Sequence, residues 1–411
     1  VAASDPGTGF FIPVNMDEFK LSTKQQTFLD HVINGENIFL TGKAGTGKSH
    51  IVNVAIDLLK RKGKNVVAIA PTGIAATNVN GQTIHSMFSL RPFGVLGFSD
   101  CNFIKSEKRR MLQAIDTIFI DEISMLRPDI LDAMHWTLIK NGCKGLSAMQ
   151  IIFIGDLKQL PAVLNDNTRS ILYQSYYGEE FFHACIYEDL KPVTIELDEV
   201  LRQTDTEFIT HLNLIREGTK SPYFKKFVSK EIKEGIILAP HNSTVSKYNH
   251  DGLAKLTGEE YVFTANVSGN AKADEFNIDN IIKVKHGAKI MYLANSKNNN
   301  LINGTLGTFI VHSDQYFISV GGVEYALAPV EFSKYEYVLS DDKKSLELKK
   351  LGSIEQYPIR LAYALSIHKS QGLTFDKVNI DLSLPCFSKG QLYVALSRVR
   401  TPDGLTILVN R

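Results

Sequence analysis

The sequence predicts an α/β protein with two parallel-sheet cores, a small insert in the first and a β-rich insert in the second. Three observations carry this expectation. Short apolar runs alternate with helix-period segments from residue 37 to about residue 160. The alternation restarts at Val193, breaks off, and returns at Ile359. Between those stretches, residues 260–357 are rich in Val, Tyr, Phe, Asn and Gly, with turn signals at Asn303-Gly304 and Gly321-Gly322.

At 411 residues, two or three domains are expected, and 44% hydrophobic residues suffice for sizeable cores. The net charge of +1 excludes a broadly basic coat protein, so any nucleic-acid site is a local groove. The four cysteines, Cys101, Cys143, Cys185 and Cys386, lie far apart without a CxxC pair. That spacing suggests neither a zinc site nor a disulfide framework, and fits thiols of a reducing compartment. No run is long and apolar enough to span a membrane. Residues 1–20 read as a flexible lead-in, too polar for a signal peptide.

The first core is expected over residues 21–190. Its opening helix starts at Ser22 or Thr23 as N-cap and runs through Phe28, Leu29 and Val32. A glutamine here either reads an adenine edge, since an amide both donates and accepts, or is a solvated helix residue. The run Ile38 to Leu40 predicts a buried strand, and Ile51, Val52, Val54, Ala55, Leu58 and Leu59 repeat at helical spacing. Between strand and helix stand Gly42, Lys43, Ala44, Gly45, Thr46, Gly47, Lys48 and Ser49, a complete GxxxxGK[ST] phosphate loop. Its glycines let backbone N–H groups turn toward phosphates, and the helix N-terminus adds partial positive charge. Lys48 is expected on the β- and γ-phosphates of ATP, and Ser49 on Mg²⁺.

A second buried strand, Asn65 to Ala70, runs into Pro71, Thr72 and Gly73, and GQTIHSMF follows with His85 and Phe88. Residues 89–112 break the rhythm. They carry Phe93, Phe98 and Phe103 with a basic cluster, Lys105, Lys108, Arg109 and Arg110. This insert reads either as a small satellite core with a solvated basic face or as a protruding element that meets nucleic acid. The strand Asp116 to Ile120 ends in Asp121-Glu122, a Walker B pattern. Asp121 is expected to hold Mg²⁺, and Glu122 to orient or deprotonate the attacking water. The strand Gln150 to Ile154 leads to GDLKQLP, where Gln159 is placed to sense the γ-phosphate or the water.

The second core is expected over residues 191–411, with its β-rich insert at 260–357 and a small barrel near 308–356. Its strands are VTIEL from Val193, GIILAP from Gly235, Ile359 to Ala364, KVNIDL from Lys377, and Thr406 to Val409. It has no second phosphate loop. A natural arrangement places ATP between the cores, with Arg202 and Arg398 reaching the γ-phosphate, and an arginine finger is worth about 10³ to 10⁵ in rate.

The ordered series GKAGTGKS, APTGIAA, GQTIHSMF, IDEISM, GDLKQLP, LDEVLRQ, LAYALSIHKSQG and GQLYVALSRVR resembles the motif set of superfamily-one helicases. IHKSQG, YVALSRVR and GQTIHSMF together resemble the PIF-type (petite integration frequency) DNA helicases and their RecD-like relatives. The motifs cover residues 21 to 400. The resemblance implies two RecA-like motor domains, ATP and Mg²⁺ as cofactors, and 5′-to-3′ travel on single-stranded DNA by a monomer. It places Gln25 on adenine and Gly372 with the nucleotide, and it implies hydrolytic roles for Lys48, Ser49, Asp121, Glu122 and Gln159. It makes Arg202 and Arg398 the γ-phosphate arginines. Thr72, His85, Phe88, His368, Lys369 and Thr374 are then expected to face DNA, and the 89–112 insert to supply a strand-separating wedge. Pro161-Ala162 replaces a proline pair, and residues 129–150 lack a PFGG-like stretch. Both departures point to a bacterial, phage-like or divergent member, cytoplasmic in a bacterium or phage and nuclear or mitochondrial in a eukaryote, and away from telomere-type or mitochondrial roles.

Three function classes follow. The first is an ATP-driven helicase on duplex or fork DNA, with quadruplexes, RNA–DNA hybrids or RNA as further substrates. The second is an ATP-gated single-strand clamp or translocase that does not separate strands; only the wedge-like insert distinguishes the two. The third, a kinase or GTPase, leaves the second core unexplained and lacks an NKxD stretch.

Overall fold

The computed structural model describes residues 21–79, 81–198, 205–295 and 301–409. The expected lead-in 1–20 and Arg202 lie outside the described residues. The chain divides into two compact units. One comprises Val1–Leu157, Pro161–Leu201 and Ser333–Leu351; the other comprises Lys158–Leu160, Arg202–Phe332 and Gly352–Arg411. The division differs from the expected boundary at 190/191, because three segments, 158–160, 191–201 and 333–351, belong to the unit that the linear pattern does not predict.

The first unit is built on a six-stranded parallel sheet. Its strands are β1 (Ile38–Gly42), β2 (Val66–Ala70), β3 (Gln82–Thr83), β4 (Thr117–Ile120), β5 (Gln150–Ile154) and β6 (Val193–Leu197), in the order β3-β2-β4-β5-β1-β6. β2, β4 and β5 are buried along their whole length, which is why they read as unbroken apolar runs rather than alternating ones. One face packs on Phe28, Leu29 and Val32 of the helix Thr23–Ile33 and on Ile51, Val52 and Ala55 of the helix Lys48–Arg61. The other face packs on Met87, Phe88, Leu131, Met134 and Phe181. VTIEL is therefore the sixth strand of the first sheet, paired in parallel with β1, rather than the opening of the second core.

β3 is only two residues long, so it leaves part of β2 without a strand partner. The Ala68 N–H is satisfied instead by the Tyr337 hydroxyl at 3.1 Å. Tyr337 is 7% exposed and packs into the same core as Met87 and Phe153. Asn65 secures the same 333–351 segment by donating to the Lys344 carbonyl and accepting from the Leu346 N–H.

The 89–112 insert is not a satellite core. Phe93, Phe98 and Phe103 are 80%, 51% and 79% exposed, while Leu90, Leu96 and Cys101 turn inward. Buried polar groups fix its path. Asp129, with no exposed surface, accepts from the Leu96 N–H at 2.8 Å and forms a two-pronged ion pair with Arg127 at 2.9 and 2.6 Å. Asn141 holds the far end through the Ile104 N–H and the Asn102 carbonyl. Lys108, of the expected basic cluster, is spent on the Ser86 carbonyl and the Ser89 hydroxyl.

The second unit contains a five-stranded parallel sheet and a β-rich insert. The sheet begins with β7 (Val228–Ser229) and β8 (Ile236–Ala239). The insert holds β9 (Glu260–Thr264) paired with β11 (Ile281–Lys285), and β10 (Asn266–Gly269) beside β17 (Leu346–Gln356) and β16 (Val330–Leu339), two strands whose residues 346–351 and 333–339 belong to the first unit. It also holds an antiparallel sheet of β12 (Lys289–Tyr292), β13 (Leu306–His312), β14 (Gln315–Val320), β15 (Val323–Ala326) and β18 (Ile359–Leu361), in the order β15-β14-β13-β12-β18. Gly321 and Gly322, both at positive φ, close β14 onto β15, with Val320 opposite Val323. The parallel sheet is completed by β19 (Ala364–Ser366), β20 (Val378–Asp381) and β21 (Leu405–Leu408), in the order β19-β8-β20-β21-β7. The run expected as one strand from Ile359 to Ala364 is thus two: its first part closes the antiparallel sheet, and the parallel strand starts at Ala364. The small sheet accordingly spans 289–361 rather than 308–356.

Tyr337→Phe leaves the buried Ala68 N–H without its acceptor. A loss of about 1–3 kcal/mol is expected from urea unfolding, with β2 amides exchanging faster by hydrogen exchange.

Candidate nucleotide and nucleic-acid site

In parallel α/β sheets, ligands bind outside the carboxyl ends of the strands, where strand order reverses. β1 sits between β5 and β6, and the phosphate loop leaves its carboxyl end. Gly42 has no room for a side chain, since a Cβ there would lie 2.6 Å from the Leu197 carbonyl and 2.9 Å from the Thr46 hydroxyl. Gly47 caps the following helix in the left-handed region at φ 80, and Gly45 has φ 81. Ala44 and Thr46 are buried, and Thr46 ties the loop by donating to the Lys43 carbonyl at 3.0 Å. The Lys48 ammonium folds back over the loop and donates to the carbonyls of Gly42 and Lys43 at 2.6 and 2.9 Å. Ser49 is exposed beside it.

Asp121 and Glu122 follow β4. The Asp121 carboxylate accepts from the Glu122 N–H at 2.8 Å. Burial pushes its pKa above the usual carboxylate value; the Glu122 hydrogen bond and the charge of Lys48 oppose that rise. Glu122 adopts a left-handed backbone at φ 50, which costs a non-glycine residue about 1–3 kcal/mol. This left-handed residue leads the chain out of β4 into the 3-10 turn Ile123–Met125. Asp156, after β5, is fully buried.

Gln25 is used structurally. Its carboxamide oxygen accepts from the Ser22 N–H at 3.0 Å, and the Ser22 hydroxyl accepts from the Gln25 N–H, forming a capping box. Thr72 caps the short helix Gly73–Asn78 through the Ala75 N–H. Thr72 and His85 share one cavity of about 170 Å³ with Arg127, Met125 and Val163. Burial, then Arg127, lowers the His85 pKa, while Asp129 opposes them. Phe88, expected to face DNA, is a core residue without exposed surface, because the short helix Ile84–Phe88 turns it onto the sheet.

Lys158–Leu160 of GDLKQLP belong to the second unit. Leu160 is buried in the second core, Lys158 pairs with Glu217, and the Gln159 carboxamide accepts from Gln371 at 3.4 Å. Gly390 lies under this segment, where a Cβ would meet the Lys158 and Gln159 carbonyls at 2.5 Å. Arg398 is 1% exposed and donates to the carbonyls of Val394, Ser370 and Leu373 and to the Ser397 hydroxyl. His368 stacks on Phe387 at 5.8 Å, and its Nε2 is buried without a hydrogen-bond partner among the described residues. His241 packs on the same ring at 5.1 Å. Phe387 is 55% exposed, an aromatic surface that the sequence did not single out because it stands in a loop of no fixed period. Lys369 is exposed, Thr374 is half-buried, and Gly372 holds φ 81 in an open turn.

The chain matches the model of the PIF1-like helicase family over residues 20–226. It is 31% identical over 412 residues to the ATP-dependent DNA helicase Pif1 of Campylobacter jejuni, covering 92% of this chain and 90% of that protein. Its fold superposes on Bacteroides sp. Pif1 in complex with ADP-AlF4 with a TM-score of 0.86 and 33% identity, over 95% of this chain and 92% of that one. Two coordinating Bacteroides Pif1 helicases at forked duplex DNA give a TM-score of 0.66 at 33% identity, again over 95% and 92% of the chains. The order of its motifs, its two parallel sheets and these likenesses place the chain in the PIF1-like helicase family.

Proposed function

We propose that this chain is an ATP-dependent DNA helicase that travels 5′-to-3′ on a single strand and separates duplex ahead of it. The observation that carries strand separation, rather than clamping alone, is the insert. Phe93, Phe98 and Phe103 are exposed on a rigidly anchored segment, and the Lys140 ammonium lies 5.4 and 5.5 Å from the Phe98 and Phe103 rings. Rings that could be buried but are held in water suit stacking on a base pair at a fork. Stacking is worth about 1–3 kcal/mol per base, comparable to the roughly 1.4 kcal/mol of one duplex step.

Hydrolysis is assigned to the first unit. Lys48 exchanges the Gly42 and Lys43 carbonyls for phosphate oxygens, and the loop N–H groups cradle the phosphates. Glu122 accepts a proton from the attacking water. Mg²⁺ fits the donor set, since the exposed Ser49 hydroxyl and the Asp121 carboxylate are hard oxygens and the buried carboxylate gains from a second cation beside Lys48. Bound there with the phosphates, it would neutralise charge developing on the transferred phosphoryl group. Arg398 is proposed as a γ-phosphate arginine, and Thr72, His85, His368, Lys369 and Thr374 as strand contacts; Phe88 is withdrawn from that set. Gln25 is proposed to meet adenine through its amide nitrogen, its oxygen being taken by Ser22. One copy carries both parallel sheets and is proposed as the motor, whereas the fork-bound Bacteroides relative works as two copies. Mass measurement on fork DNA tells one copy from two.

Strand displacement with ATP and Mg²⁺ on forks bearing a 5′ or a 3′ tail tests the function. Displacement from the 5′ tail alone is expected; ATPase stimulated by single strands without displacement would favour the clamp. Lys48→Ala is expected to abolish hydrolysis and displacement while single-strand binding persists. Phe93→Ala with Phe103→Ala should remove displacement yet keep DNA-stimulated ATPase. Asp121→Asn removes a charge that burial disfavours, so nucleotide-free stability is expected to rise by roughly 1 kcal/mol while hydrolysis is lost.

A further inference from the structure

In the first unit, the helix Asp166–Tyr176 and the turn after it hold large rings out in water. Tyr177 is 84% exposed, and Tyr173 and Phe182 are exposed beside it. Their neighbours in sequence point the other way. Phe181 has no exposed surface and packs on the Phe39 and Phe153 rings at 5.6 and 4.9 Å. Tyr176 is buried and donates its hydroxyl hydrogen to the Asp132 carboxylate. Asp132, itself buried, also accepts from the Cys185 and Ile186 N–H groups, each at 3.0 Å. One hidden carboxylate thus fastens both ends of residues 176–186, and Phe181 fastens the middle. Tyr177 keeps a left-handed backbone at φ 61, which is unfavourable for a residue with a ring. Its exposure is imposed by this frame and not by a loose end.

The exposed rings belong to one surface. The His183 ring covers Gly178, next to Tyr177, so closely that no Cβ fits there, and it lies 4.7 Å from the Phe182 ring. Tyr173 precedes Tyr177 by one helical turn. Carboxylates border the rings. Arg169 pairs with Glu179 at 2.7 Å and with Asp166 at 3.4 Å, and Glu180 meets the His183 ring at 3.5 Å. Three carboxylates thus stand against one guanidinium. Such a border repels phosphodiester backbones and anionic lipid surfaces, so the complementary occupant is a cationic stretch of protein. Arginine suits it better than lysine, because a planar guanidinium stacks on a ring face and forks onto a carboxylate. Rings already fixed in place lose little freedom on binding, which is what makes tyrosine an effective interface anchor. We infer that this face docks an arginine-bearing segment of a partner protein, with Tyr177 and Phe182 as ring contacts and Glu180 as the carboxylate. None of these residues is among the proposed nucleotide or strand contacts, so the assignment stands independently of the helicase reading.

The test is fluorescence anisotropy of a labelled peptide of Arg-Gly-Gly repeats titrated with the full chain, without DNA or nucleotide. The same peptide with lysine in place of every arginine is titrated beside it. The arginine peptide is expected to bind severalfold more tightly than the lysine peptide. Tyr177→Gly combined with Phe182→Ala should weaken arginine-peptide binding by about tenfold or more, and Glu180→Gln should weaken it severalfold at low salt. Tyr177→Gly removes the unfavourable backbone along with the ring, so that variant should melt no lower than wild type. Its single-strand-stimulated ATPase should also be unchanged, and weakened binding then cannot come from unfolding. If the double variant binds the arginine peptide as wild type does, the rings take no part and the proposal is overturned. Equal affinity for the arginine and lysine peptides reduces the face to an ordinary acidic surface and overturns it too, as does a wild-type chain that binds neither peptide. Sedimentation of the chain alone addresses a second copy as occupant. Self-association of wild type that the double variant abolishes makes this face a contact between copies and overturns the partner assignment.

Discussion

The interaction on which the site depends is the Lys48 ammonium lying on the carbonyls of its own loop. Backbone carbonyls that gather around a cation turn the intervening N–H groups the other way, toward the place a phosphate would occupy. That turn requires Gly42 to press against the Leu197 carbonyl, so the loop's shape is coupled to β6 as well as to β1. It also requires a cation to sit near Asp121, whose burial alone would favour the neutral acid. Loop, sheet order and buried carboxylate therefore stabilise one another, and the strained Glu122 is held by the same packing. A site assembled this way is preorganised for a polyanion and a divalent cation, at the expense of stability without them.

The local parts of this site were legible in the sequence, because their chemistry needs neighbouring residues. The phosphate loop, the Asp121-Glu122 pair and the Ser22 cap are each set within eight positions or fewer. The parallel strands were legible too, since burial on both faces leaves continuous apolar runs. What was not legible depends on distant residues. Tyr337 completes β2 from 269 positions away, and Arg360 on β18 answers Asn277 and Asp279 of a loop 83 and 81 positions before it. The insert misled in an instructive way: three phenylalanines suggested a satellite core, but the residues that enter the core are Leu90, Leu96 and Cys101, placed by the hidden Asp129 carboxylate. Phe88 misled in the opposite direction, since a motif position near a ligand edge says nothing about which way a side chain points.

The membership of Lys158–Leu160 in the second unit gives Gln159 a physical role that spacing alone could not supply. Asp156 lies two residues beyond β5 of the sheet that bears the phosphate loop, and the chain enters the second unit at Lys158. There Gly390 packs without a side chain beneath the Lys158 and Gln159 carbonyls, and the Gln159 carboxamide engages Gln371. Gly390 caps the helix Gln391–Leu396, which leads directly to the buried Arg398. A substituent at Gly390 would have to displace backbone, not a flexible side chain, so this contact has little slack. The sheet that bears the phosphate loop is thus joined covalently, through Leu157, to a segment packed on the helix that leads to Arg398. Interfaces packed this closely shift between discrete arrangements rather than deforming smoothly, which is the property a nucleotide-driven motor requires.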